Sequence, residues 1–237
     1  MAFFEVEDLV SYYGKVEVVS HVSITAEAGE TVALLGRNGA GKSALMRTIM
    51  GLRPPIRQSG QVRFQGREIT GLPTHEIVKL GISLAPDDHR IFPHLSVEEN
   101  LILAQKLTPR SRQPRPLEEV YEIFPLVGEL RGRNGGVLSG GEKKLVAIAR
   151  AMIQRPSIIM LDETSEGLSP VMVNQLVQVI KRLQAEGITL ITADQNLRFC
   201  SRIATRGYVL ERGRVQFQGS IQEFWEKVEA DQMSLMQ

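Results

Sequence analysis

The chain has 237 residues, 43% of them hydrophobic, enough for one large domain or a core with a smaller insert. Lys plus Arg number 28 and Asp plus Glu 27, so it lacks the basic excess of a nucleic-acid binder, and no nucleic-acid partner is expected. The single cysteine, Cys200, excludes an internal disulfide and a four-thiolate metal site and suits a reducing compartment. Met1–Asp8 shows no basic stretch leading into an apolar one, so no signal peptide is expected. No apolar run approaches the roughly 20 residues that span a bilayer, and the chain is expected to be soluble.

Residues 3–10 and 16–25 alternate apolar and polar, which predicts two opening strands. Thr31–Gly36 reads as a buried strand feeding a loop, and Lys42–Met50 as a helix stopped by Gly51. Gln61–Phe64 and Gly81–Ala85 read as further strands. From about 88 to 137 no strand is expected. Ser96 to Glu99 is a capping-box pattern opening a helix towards Leu107, 108–116 is a proline-rich loop, and Pro116–Phe124 is a second helix. The α/β rhythm then resumes: helix Gly140–Ile153, strand Ser157–Leu161, helix Pro170–Ala185 and strand Ile188–Thr192. Tyr208–Glu211 and Arg214–Gln218 flank Arg212-Gly213, a hairpin signal. The last ten residues or so are expected to be mobile. The pattern predicts an α/β fold: a core (1–87 and 138–237) with a mostly parallel sheet, an N-terminal antiparallel β part and a helical insert at about 88–137.

Gly36-Arg37-Asn38-Gly39-Ala40-Gly41-Lys42-Ser43 fits the pattern G-x-x-x-x-G-K-[ST] between a predicted strand and a predicted helix. Glycines let the main chain wrap a triphosphate with its N–H groups, and the helix N-terminus adds to the attraction. Lys42 is expected to reach the β- and γ-phosphates and the Ser43 hydroxyl to bind Mg²⁺. Ile158–Leu161 then emits two acids, Asp162 and Glu163, at the strand end where open α/β sheets place their sites. Asp162 is expected to hold Mg²⁺, directly or through water, and Glu163 to act as general base on the attacking water. ATP and Mg²⁺ are therefore the expected ligands.

Leu138-Ser139-Gly140-Gly141-Glu142 opens the helix 140–153, with Ser139 as N-cap and two glycines that permit close approach of a ligand. With this segment about twenty residues before Asp162-Glu163, the chain resembles the ATP-binding cassette (ABC) ATPases from about residue 3 to 225. The resemblance implies two cassettes dimerised head to tail, the loop of one facing Ser139–Glu142 of the other, with ATP between. It also places Tyr13 where the family keeps an aromatic ring stacked on adenine.

A finer resemblance is to the ATPase subunits of branched-chain amino acid and amide or urea importers. It rests on Tyr12–Lys15, Ile91–Pro93 with Ser96–Leu101, Gly167–Pro170, and Gln195-Asn196 with Arg206–Glu211. It implies membrane permease partners, a solute-binding protein acting indirectly, and a second cassette that is either another copy or a paralogue. The chain would sit on the cytoplasmic face of the membrane, docked through the helical insert. Asp87 stands where most cassettes have glutamine, one methylene shorter than the glutamate frequent in this subgroup, which favours a bridging water over direct metal contact. Gln195 replaces the usual histidine; it can donate to the γ-phosphate but cannot titrate. Thr164 replaces a usual proline, and Glu166 is unusual in its loop. An active ATPase is expected. Two alternatives stay open. A low-turnover nucleotide-gated module would suit the odd residues at 87, 164 and 195. A cassette ATPase not tied to transport is the other, although no heptad run or Cys-x-x-Cys points to it.

Overall fold

The computed structural model describes residues 2–88 and 90–229. The tail expected to be mobile lies, from residue 230 on, outside them. Two sheets share the chain. A four-stranded sheet has the order β2-β1-β4-β5, built from β1 (Phe4–Tyr13), β2 (Val16–Ala26), β4 (Ile56–Phe64) and β5 (Arg67–Glu68), all antiparallel. A six-stranded sheet has the order β10-β9-β3-β8-β7-β6. Its strands are β3 (Thr31–Leu35), β6 (Ile82–Ala85), β7 (Ile158–Asp162), β8 (Thr189–Asp194), β9 (Arg206–Glu211) and β10 (Arg214–Ser220). Only β10 runs antiparallel.

The central strands β3, β7 and β8 are buried along their whole length because both faces of the sheet are covered, which is why β3 and β7 read as nearly continuous apolar runs. Successive side chains go to opposite sides. Val32, Leu34, Ile158 and Met160 join a core with the antiparallel sheet and helix α1 (Lys42–Ile49). Ala33, Leu35, Ile159 and Leu161 join a second core with α6 (Gly140–Ile153) and α7 (Pro170–Ala185).

Between β6 and α6 come α3 (Val97–Lys106), α4 (Leu117–Ile123), α5 (Pro125–Glu129) and a 3₁₀ turn at Gly135–Val137; α2 (Thr74–Leu80) precedes β6. Among the described residues of 88–137 the only β pairing is an isolated bridge from Ser96 to Asn134. The capping box at Ser96 is present in full: Glu99 N–H donates to Ser96 Oγ at 3.1 Å, and Ser96 N–H to Glu99 Oε2 at 2.7 Å.

Several strands are longer than their apolar cores suggested. The strand expected at Gln61–Phe64 starts at Ile56, because β1 pairs with polar backbone at Arg57 and Ser59. β8 runs on to Asp194 through pairing of Leu35 with Asp194, and β9 begins at Arg206 opposite Val32. The sequence reading also lacked β5, α2, α5, α8 (Leu197–Cys200) and α9 (Ile221–Glu229). These pieces are short, and most of their stability comes from tertiary contacts, as with Phe224 of α9, fully buried against the α6 core.

Candidate functional site

Parallel pairing brings the C-terminal ends of β3, β8, β7 and β6 side by side. They emit, in turn, the loop 36–43, the turn at Gln195, the pair Asp162-Glu163, and Asp87. The loop is held by main chain. Gly213 N–H donates to Ala40 O at 2.9 Å, and Ser20 N–H donates to Gly213 O at 2.8 Å, so the β9–β10 turn links the loop to β2. Gly41 has φ +105°, and a methyl group there would come within 2.6 Å of Val18 O. A methyl group on Gly213, at φ +78°, would meet the same oxygen at 2.7 Å. Ala40 is buried, while Arg37, Asn38 and Gly39 face solvent.

Lys42 is buried and donates to Gly36 O at 2.8 Å and Arg37 O at 3.1 Å. Burial pushes its ammonium below the ordinary lysine value, opposed by the charges of Glu163, Asp162 and Asp194. Ser43 Oγ donates to Asp162 Oδ1 at 2.9 Å. Burial raises Asp162 to about 6, with the Ser43 hydrogen bond opposing and the Asp87 carboxylate adding. Glu163 is raised to about 7, first by burial and then by the Glu166 carboxyl and Asp162. Its backbone lies at φ +48°, a left-handed conformation uncommon for a residue with a Cβ and shared here with turn residues such as Gln65 and Arg212.

The loop after Glu163 is held from two sides by residues the sequence reading did not single out. Lys144 of α6, buried, donates to Glu163 O at 2.5 Å and Glu166 O at 2.6 Å. Asp194, fully buried at the end of β8, accepts from Ser165 N–H at 2.7 Å, Ser165 Oγ at 2.9 Å and Asn196 N–H at 2.9 Å. Thr164 Oγ1 lies 3.2 Å from Thr192 Oγ1, both buried, so the residue replacing proline has a hydroxyl partner. A buried lysine on a helix face and an aspartate ending an apolar strand are the only signals that could have marked Lys144 and Asp194.

A model of the ABC transporter family matches residues 19–166, a span that contains the loop, Ser139–Glu142 and the Asp162-Glu163 pair. The chain belongs to the ABC transporter family. It is 38% identical to the high-affinity branched-chain amino acid transport ATP-binding protein BraG of Pseudomonas aeruginosa, over 86% of this chain and 87% of that one. It is 36% identical to the lipopolysaccharide export system ATP-binding protein LptB of Acidithiobacillus ferridurans, over 92% and 90%. Among solved structures, the ADP conformation of MJ1267, an ATP-binding cassette of an ABC transporter, matches with a TM-score of 0.79 at 27% identity, covering 98% of this chain and 96% of that one. The chain is thus an ATP-binding, ATP-hydrolysing subunit of a transporter. Among its described residues no helix is long and apolar enough to cross a membrane.

Of the remaining residues expected in the site of this ABC ATPase, Ser139–Glu142 form a cap of their own. Ser139 caps α6: Glu142 N–H donates to Ser139 Oγ at 3.3 Å, and Ser139 N–H donates to Glu142 Oε2 at 2.7 Å. No described hydrogen bond joins 139–142 to the loop, and α6 packs on the sheet face opposite α1. The two glycines differ. A methyl group on Gly140 would meet nothing within 4 Å, but one on Gly141 would come within 2.9 Å of Met172 Cε. Gly140 is therefore open on its Cβ side, whereas the Met172 side chain lies against Gly141. Gln195 and Asp87 are exposed, and Tyr13, at 38% exposure, ends β1 beside the turn at Gly14.

Proposed function

We propose that this ATPase is the motor of an importer for branched-chain amino acids or related amides or urea. The likeness to BraG carries this reading. The nearly equal likeness to LptB favours export of a lipid-linked glycan as the second reading. The stretch at about 88–137 is the helical subdomain of a single cassette. A cleft of about 870 Å³ between α1, α2 and the end of α3, lined by Leu52, Arg53, Leu72, His75 and Leu107 among others, supports docking of a permease segment there. Such docking places the chain on the inner face of the membrane, with any solute-binding protein acting through the permease.

In the proposed reaction the N–H groups of Arg37–Ser43 and the N-terminus of α1 bind the phosphates of ATP. Lys42 exchanges its bonds to Gly36 and Arg37 carbonyls for phosphate oxygens. The oxygen donors of Ser43 and Asp162, 2.9 Å apart, suit Mg²⁺, which takes few protein ligands beside phosphates and water; no three His, Cys, Asp or Glu side chains gather into a metal site among the described residues. Bound there, the metal would neutralise charge on the β- and γ-oxygens. Asp87 adds a carboxylate, through water, beside Asp162. Glu163 takes the proton from the attacking water. Gln195 donates to the γ-phosphate without titrating, and Tyr13 stacks on adenine. Ser139, Gly140 and the N–H groups at Gly141 and Glu142 complete the site from a second cassette, a copy or a paralogue. The placement of α1 and α6 on opposite sheet faces supports that division.

The experiment is uptake into vesicles holding this chain, its cognate permeases and any paralogous cassette. ATP-dependent entry of leucine or urea is expected. Outward movement of a lipid-linked glycan, with no solute entry, overturns the importer reading.

A further inference from the structure

Lys144 has no place in the reaction described above, yet it is one of the few charged side chains that is almost fully buried, at 5% exposure. Among the described residues its ammonium forms no ion pair. Its hydrogen bonds go to two main-chain carbonyls, Glu163 O at 2.5 Å and Glu166 O at 2.6 Å. Withdrawing an ammonium from water is costly, and an apolar side chain would fill the same space without that cost. What the charge secures is the position of the carbonyls at the two ends of segment 163–166. The N–H side of that segment is held separately by Asp194 through Ser165. Glu163 sits between these clamps at φ +48°, a conformation that surrounding structure must enforce.

Lys144 lies on the helix that Ser139 caps, five residues on, or about 7 Å along the helix axis. We infer that Lys144 is a positioning residue: it ties the helix whose N-terminus serves one nucleotide to the main chain of the glutamate that serves the other. A movement of α6 when Ser139 engages a second cassette's ATP is thereby passed to Glu163 of the same chain. Two sites in a dimer would fire together for this reason. The inference rests on the proposed roles of Glu163 and Ser139.

The test compares ATP turnover of Lys144→Met, Lys144→Gln and Glu163→Gln with the parent chain in its assembled transporter. Lys144→Met keeps length and apolar packing but removes the donors. Its kcat is expected to fall about tenfold or more, with KM for ATP within about twofold. Lys144→Gln, with two N–H donors on a shorter arm, is expected to recover part of that loss. A fall confined to KM, or equal losses in the two variants, assigns Lys144 to packing and overturns the inference. So does parental kcat in either folded variant while Glu163→Gln is inactive. Full turnover in Glu163→Gln instead sinks the underlying role of Glu163. If Lys144→Met does not fold, Lys144→Gln decides alone: a kcat lowered about threefold at unchanged KM is expected, and parental kcat contradicts.

Discussion

The phosphate loop is tied to the neighbouring strands by bonds from backbone to backbone, as from Gly213 N–H to Ala40 O and from Ser20 N–H to Gly213 O, with side-chain bonds from Lys42 within the loop and from Ser43 to Asp162. Around Glu163 side chains do the holding: Lys144 on two carbonyls, Asp194 on Ser165 and Asn196, Thr164 beside Thr192. The first region tolerates many side chains but no added Cβ at its close approaches. The second tolerates no loss of particular polar groups. The two should therefore fail differently, the first in nucleotide binding and the second in stability and turnover.

Replacement at Gly41 and at Asp194 should separate them most clearly. Gly41→Ala drives a methyl group towards Val18 O in a left-handed conformation, and ATP affinity is expected to drop about a hundredfold by calorimetry. Asp194→Ala leaves the buried N–H and hydroxyl of Ser165 and the part-buried N–H of Asn196 without their acceptor. It is expected to cost about 3 kcal/mol in denaturant unfolding while ATP affinity stays near the parent's. If Asp194→Ala instead abolishes binding at unchanged stability, the division between the regions is wrong.

Acid should act on the second region next. In its proposed role as base, Glu163 must be ionised to accept a proton, and its value is raised to about 7. The free-enzyme profile of kcat/KM is expected to be flat above pH 8 and to fall about tenfold per unit below 7. The fall should steepen near 6, where Asp162 takes up its proton. In the nucleotide-free protein these raised values make the folded state bind more protons than the unfolded one. Their contribution to stability is therefore present below about pH 4 and is lost as pH rises through 6 to 7. The smallest effect is expected for Thr164→Ala, which removes a single hydroxyl from the pair with Thr192 and should cost about 1 kcal/mol without altering KM.

The same contrast explains what could be read from the chain alone. A phosphate loop made of main chain must spend glycines at fixed spacing, so Gly36, Gly39 and Gly41 with Lys42 announce it. The apolar run 158–161 locates Asp162 and Glu163, because the two acids stand at the end of a strand buried on both faces. The clamps were invisible for the opposite reason. Lys144 and Asp194 reach the segment 163–166 only when α6, β7 and β8 pack together, and nothing local marks a lysine or aspartate that will be buried. Gly213 read as a hairpin turn, and its second bond, to Ala40, depends on the sheet order β10-β9-β3. Spacing likewise cannot reveal the Met172 side chain lying against Gly141.

That one ATP lies between halves contributed by two chains is tested most directly by light scattering on Glu163→Gln saturated with Mg-ATP, alone and mixed with a paralogous cassette. The molar mass is expected to rise from the 26.4 kDa of one chain to that of a two-cassette particle, and to return when ATP is removed. A particle that stays at one chain's mass in both samples, with ATP demonstrably bound, would contradict the account.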